Sequence, residues 1–406
     1  MIRIKKPSVT VANGKARLSA DIVVDGVSAP LWFEVDEKYG RFLCGERSDA
    51  FVLGLLHYAM WYGHDIVSDA PMTSRLHEQL TEQFLPPFLK INNASRLALA
   101  ERKGHAFNLH ITTPVAPEVE HEKDGNAVGT GVSCGVDSLH VFAKHPDVTH
   151  GCIWNGHGVN FKETAEMRRA AWDNLVAQAR RFTSDIGVEL IVGDTNFDRG
   201  CLPELRWDGM VTNGNLFCAF CLQKLWSKYY IASLCDVNDF RMAQPMSSDP
   251  AHYEYYLFAF SSLSRISIRL DGAEYRRVEK VADLAAYAPA RKFLNTCWGL
   301  HDGHRNCSYR CPKCMRTMLD LYCVDALEAF NSVYDVTYFK DHLAEYVAEY
   351  YRGCLQGDFF MRELTPYLRR KKIPLAIKSA AVKIVLKKAL RKVLRRGAVS
   401  YQFSPN

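Results

Sequence analysis

The sequence predicts an α/β protein: a doubly wound parallel sheet, preceded by an N-terminal α/β unit and followed by a four-cysteine loop and a helical C-terminal tail. Three observations lead there. From Ala127 onward, short apolar runs alternate with amphipathic helical patterns, as in a parallel sheet covered by helices on both faces. Four closely spaced cysteines follow: Cys297, Cys307, Cys311 and Cys314. Beyond them the pattern is helical and increasingly basic.

The elements follow in order. Residues 1–115 read as their own α/β unit, with strand-like runs at Ala16–Val24, Pro30–Val35 and Ala106–Thr112. Asp49–Tyr62 and Ser74–Leu89 carry apolar residues at helical spacing. The charged, Pro-bounded stretch from Pro114 to Asn126 lacks periodicity and places a linker at 116–126. In 127–290 the expected strands are Ala127–Val132, Thr149–Asn155, Val188–Val192, Asp239–Ala243 and Arg265–Leu270, and the clearest helices are Glu163–Ser184 and Phe217–Leu234. The cysteine segment occupies 291–325 and a helical region 326–406. That region includes a basic amphipathic helix over 374–396, opened by Pro374 and closed by Gly397.

Composition narrows the class. The 406 residues are 48% hydrophobic and 24% charged, which excludes disordered and fibrous chains. The net charge of +6 is local: twelve Lys/Arg and no acid lie between Arg369 and Arg396, leaving 39 basic and 45 acidic groups elsewhere, a net of −6. Composition therefore gives no support to a nucleic-acid-binding role for the whole body. Thirteen cysteines, a polar N-terminal stretch and no apolar run of spanning length predict a reducing, cytoplasmic setting. In it some cysteines bind metal.

The first chemical motif is Gly129-Thr-Gly-Val-Ser133-Cys134-Gly135-Val136-Asp137-Ser138, a strand running through small residues into a helix. Backbone N–H groups and the dipole at such a helix start attract an anion. Gly135 lets the backbone approach a phosphate, and Ser133 and Ser138 can donate hydroxyls to it. Asp137 would cap the helix or hold a phosphate-bound Mg²⁺. A Walker loop is excluded because the turn lacks Lys. A dinucleotide fingerprint is excluded because Gly129, Gly131 and Gly135 are wrongly spaced.

In the second motif, four thiolates at these spacings can close a tetrahedral Zn²⁺ site, with Cys311-Pro-Lys-Cys314 as its tight-turn half and His301 or His304 as possible substitutes for one cysteine. With four thiolates engaged, the metal is structural. Cys218 and Cys221 lie in an apolar run and read as core residues; His157, between two glycines after the second strand, reads as a turn residue or as a contact to nucleotide or substrate.

The loop resembles the Ser-Gly-Gly-x-Asp-Ser motif of the PP-loop ATP pyrophosphatases (HUP-type, adenine nucleotide alpha-hydrolase-like), with Cys134 standing for the middle Gly. Combined with the cysteine cluster, the chain looks like 7-cyano-7-deazaguanine synthase and related uncharacterised bacterial proteins. Asp271–Lys280 and Cys314–Leu319 extend that likeness, which covers about residues 1–325 but not the tail. The resemblance implies ATP bound by Ser133, Cys134, Gly135, Val136, Asp137 and Ser138, with Mg²⁺ and a structural Zn²⁺. It implies a carboxylate activated as an acyl-adenylate and ammonia or another nucleophile displacing AMP. Arg277, Lys280 and Arg316 are the candidate phosphate cations; Asp137, Ser138 and Arg316 are the candidate catalytic residues. Two rivals remain: a PP-loop sulfurtransferase or tRNA-modifying enzyme carrying persulfide on Cys134 or Cys201, and a degenerate ATP-binding scaffold. Apart from a small-molecule substrate, the expected partner is an anionic membrane surface met by the tail, placing the protein peripherally at the inner membrane. Packing of the tail on the body and nucleic acid are its alternatives, and a homo-oligomer is compatible with the sequence.

Overall fold

The computed structural model describes residues 1–96, 108–122, 125–155, 164–197, 211–243, 250–297, 306–307 and 311–400. His157, Cys201, His301 and His304 lie outside them. The strands are β1 (Ile2–Ile4), β2 (Ser8–Ala12), β3 (Lys15–Val24), β4 (Val27–Asp36), β5 (Ile66–Ser68), β6 (Met72–Thr73), β7 (Ile111–Thr112), β8 (Val115–Ala116), β9 (Ala127–Gly131), β10 (His150–Asn155), β11 (Glu189–Thr195), β12 (Trp226–Ala232) and β13 (Ser267–Asp271). The principal helices are α1 (Asp49–Tyr62), α2 (Val136–Lys144), α3 (Ala165–Asp185), α4 (Val211–Cys221), α5 (Arg277–Ala286), α6 (Pro312–Cys323), α7 (Leu343–Gln356), α8 (Phe359–Glu363) and α9 (Leu375–Ser400). The chain divides into two compact units, one of Met1–Ser133 with Lys144–Glu274, the other of Cys134–Ala143 with Tyr275–Asn406.

The first unit is built on one large mixed sheet. Its parallel part runs β11-β10-β9-β12-β13, so the strands occur in the doubly wound order, third-second-first-fourth-fifth. The order reverses between β9 and β12, where such sheets open their crevice beyond the strand ends. On the other side β11 pairs antiparallel with β4, and β3, β1, β5 and β7 continue the sheet. The N-terminal strands therefore share the sheet of the later α/β segment, and the linker expected at 116–126 falls inside this unit. The short β8, within the stretch expected to be aperiodic, pairs with β6.

Two sequence expectations need correction here. Phe217–Leu234 is not one helix: α4 ends at Cys221 and β12 starts at Trp226. The segment is mostly apolar, with Gln223, Lys224, Ser227 and Lys228 too few to set a clear helical or alternating period, and Trp226, Tyr229, Tyr230 and Ile231 hint at a strand. Asp239–Ala243 is not a strand; a single 3₁₀ turn at Val237–Asp239 precedes irregular chain. Packing explains why β9 carries Gly129. A Cβ there would stand 2.6 Å from the Trp226 ring and 2.8 Å from Tyr229, so only glycine lets the two central strands share this face.

Helix α1 is apolar on every side and buried from Asp49 to Met60, packed against α4. Each such large side chain contributes roughly 1.5–3 kcal/mol on burial. Gly63, at φ 66°, ends the helix in the left-handed conformation that glycine adopts without strain. His57 is buried in this helix with Nδ1 2.6 Å from the Tyr253 hydroxyl, and burial lowers its pKa from 6.5 to about 4. Between those values the unfolded chain binds a proton that the folded chain does not, so stability falls as pH drops from 6.5 through 4, by about 3 kcal/mol. Urea unfolding of His57→Gln at pH 7 and 4.5 should show a markedly flatter pH dependence than the wild type. Parallel pH profiles would rule out this origin.

The second unit is helical. α5 and α6 pack together, α7 packs on α6, and α9 runs along α7. The tail helix continues to Ser400, past the Gly397 expected to close it.

Candidate metal centre and charged cluster

The cysteine site is assembled by the start of α6. Cys311 is the N-cap residue, and its Sγ accepts the Cys314 N–H at 3.3 Å. Pro312 follows at the first helical position, where its missing N–H costs nothing. Cys307 Sγ accepts the Cys311 N–H, also at 3.3 Å. Backbone N–H groups thus point at two of the sulfurs, an arrangement that favours thiolates. Asn306 fixes the approach: its Nδ2 donates to the Leu294 and Val333 carbonyls at 3.0 Å each, and its Oδ1 accepts the Thr296 N–H at 2.9 Å.

The sulfurs of Cys297, Cys307, Cys311 and Cys314 all lie within 4.8 Å of one another, with Cys297 and Cys311 3.8 Å apart. Sulfurs at about 2.3 Å from a tetrahedral zinc stand about 3.8 Å apart, so the group fits such an ion. The Cys297 and Cys311 sulfurs, and then burial, push the Cys314 thiol far above its ordinary range. Four thiolates this close are stable only around a cation. The group can therefore hold a metal ion of the zinc type, and all four cysteines singled out by spacing take part.

A second cluster lies in the same unit, on α2, α5 and α6. Arg277 and Lys280 are three residues apart and face the same way from α5. Asp137, in the first turn of α2, receives both: Lys280 Nζ is 3.0 Å from its Oδ1, and Arg277 Nη1 is 3.5 Å from its Oδ2. Arg277 also donates to Thr317 Oγ1 at 3.1 Å and stands 3.4 Å from Asp320 Oδ2. On α6, Lys313, Arg316 and Asp320 share a face at helical spacing. The Arg316 guanidinium lies over the Phe360 ring of α8, 4.1 Å from its centroid.

Electrostatics divides the two carboxylates. Burial alone would raise the Asp137 pKa, but the Lys280 and Arg277 charges outweigh it and hold the group below the ordinary carboxylate value. Asp320 is fully buried, and burial raises it to about 6 despite Arg277 and Arg316. Burial and then the Arg277 charge lower Arg316 to about 10; burial and the two arginines lower Lys313 to about 8. Cations are thus crowded here beyond what the carboxylates offset. The Nε of Arg277 faces Asp320 Oδ2 at 3.4 Å, whereas the buried Nε of Arg316 has no hydrogen-bond partner among the described residues. Such an arrangement suits a multiply charged anion.

Of the residues marked in the sequence, Asp137, Arg277, Lys280 and Arg316 come together in this unit. Ser138 donates to the carbonyl of Gly135 at 3.3 Å, inside its own turn. Ser133 ends a segment of the first unit. Cys134 is 1% exposed and has φ 56°, a left-handed conformation that glycine adopts more readily. Lys313, Thr317, Asp320 and Phe360 were missed, although the spacing of Lys313, Arg316 and Asp320 along one helix face carried the signal. Cys218 and Cys221 are fully buried in the core.

Comparison with protein-family models, curated proteins and solved structures gives no match. Likeness to the PP-loop enzymes rests on the motifs alone.

Proposed function

We propose that the chain is an ATP-dependent adenylating enzyme of the PP-loop type, which activates a carboxylate or similar oxygen for C–N bond formation and carries a structural zinc. The observation that carries this reading is the surplus of cations from α5 and α6 gathered around Asp137, which stands in the first turn of the helix that the Ser133–Ser138 motif leads into, with the Arg316 Nε unpartnered among the described residues.

In this reading Arg277, Lys280 and Arg316 neutralise the phosphates, and Asp137 holds the first two in place. Such fixed charge stabilises the negative charge that develops on the leaving group. A substrate carboxylate oxygen attacks the α-phosphorus, a new P–O bond forms, and the bond to pyrophosphate breaks with its electron pair. Ammonia then attacks the acyl carbon, loses a proton, and AMP leaves. Magnesium would travel on the ATP phosphates, since both oxygens of Asp137 are already engaged by cations. Burial of Cys134 supports adenylation over persulfide transfer from that thiol. The four cysteines are placed to hold zinc at the base of α6, whose own face bears Lys313 and Arg316, so the metal would orient cations rather than meet substrate.

Incubation with ATP, Mg²⁺, ammonia and a panel of carboxylates should yield AMP and pyrophosphate in equal amounts, dependent on one carboxylate. Formation of ADP, or the absence of turnover with every acid tried, would speak against this function.

A further inference from the structure

The tail helix α9 carries two apolar stripes, and the fold uses one. Ile377, Ala380, Ala381, Ile384 and Val385 are partly or wholly shielded, with Ala381 fully buried, on the side where α9 runs along α7. The second stripe faces away. Leu375 is 79% exposed, Val382 46%, Leu386 62% and Leu390 60%. Their spacing of seven, four and four residues keeps them within an arc of about 80°. Lys378, Lys383 and Lys387 border the stripe, Arg391 and Lys388 lie farther round the helix, and all five are exposed. The helix from Leu375 to Ser400 contains no acidic residue.

We infer that this outward stripe is a docking surface for an anionic lipid bilayer, on which α9 lies in the plane of the interface. Two features must be satisfied at once: a row of exposed leucine and valine, and a dense positive border. A lipid surface takes the first into its acyl boundary and the second onto its headgroups. A second copy of the helix would cover the leucines while bringing lysine against lysine, which is repulsive. A nucleic acid would meet the lysines through phosphate and leave the leucines in water. Packing on the protein itself is already served by the other stripe. Among the described residues no helix is long and apolar enough to cross a membrane, so α9 rests on the surface. This inference is independent of the adenylating activity.

The test is co-sedimentation of the full chain with vesicles of phosphatidylglycerol and phosphatidylcholine, against vesicles of phosphatidylcholine alone. Recovery on the anionic vesicles only, falling as NaCl is raised, is expected. The double variant Leu386→Glu/Leu390→Glu should lower partitioning about ten-fold or more. A second variant, Lys383→Gln/Lys387→Gln, keeps the apolar stripe and should bind more weakly with a shallower salt dependence. Unchanged metal content and circular dichroism establish that both variants fold. Equal recovery on the two vesicle types would overturn the inference. So would a dimer in ultracentrifugation that the leucine variant dissolves, or lysine-dependent RNA binding without vesicle binding.

Discussion

Cys314→Ser will strip the protein of its metal and loosen the second unit. Metal analysis of the wild type should find one zinc per chain, and the variant well below one. The four sulfurs lie within 4.8 Å of one another, and Cys314 is fully buried among them. Removing this donor leaves three thiolates and a hydroxyl, an inferior set for zinc. Structural zinc sites contribute on the order of 10 kcal/mol to folding, more than the whole stability of many domains. The loss should therefore appear as a lower and broader thermal transition, with proteolysis at the cysteine segment. Cys323→Ser is the control: that thiol is buried nearby in the same helix but lies outside the sulfur group. It should retain zinc in full. A Cys314→Ser protein with undiminished zinc would show that the cluster is not the metal site.

Legibility in the sequence followed the range of the interactions. The four cysteines could be read because the donors are close in sequence and one tight turn supplies two of them. Strands β9, β10, β11 and β13 could be read from short apolar runs between helical patterns. β12 could not: buried on both sides beside β9 and β13, it follows an equally apolar helix, and no periodicity marks the change. The joining of β4 to β11, through Glu34 with Asp194 and Phe33 with Thr195, depends on pairing across about 160 residues, and no local pattern announces it. In the charged cluster, the loop motif marks Asp137, and the stretches that carry the resemblance mark Arg277, Lys280 and Arg316. Nothing local sets Asp320 apart from other helix carboxylates; only its complete burial beside Arg277 gives it a role.

Asp137→Asn should lower turnover about 100-fold or more while the zinc content stays at the wild-type level. The side chain keeps its size and loses the charge that holds Lys280 and Arg277, which are 2% and 6% exposed. With that charge gone, two nearly buried cations face each other without their shared counter-ion. Breaking a buried pair in this way costs about 3 kcal/mol or more, and the 22% exposure of Asp137 favours the lower end. The sign of the pH dependence checks the cause. Asp137 has a depressed pKa, so its stabilising contribution is complete above the ordinary value of 3.8 and disappears as pH falls through the folded value. Asp320, raised to about 6, acts oppositely: between 3.8 and 6 the folded protein holds the extra proton, and this contribution diminishes as pH rises. Comparing Asp137→Asn with the wild type, the stability difference should be constant from pH 5 to 8 and shrink below pH 4. A difference that instead grew below pH 4 would mean that Asp137 is not the counter-ion of Lys280 and Arg277. Full turnover in the variant would place the anion site elsewhere in the molecule.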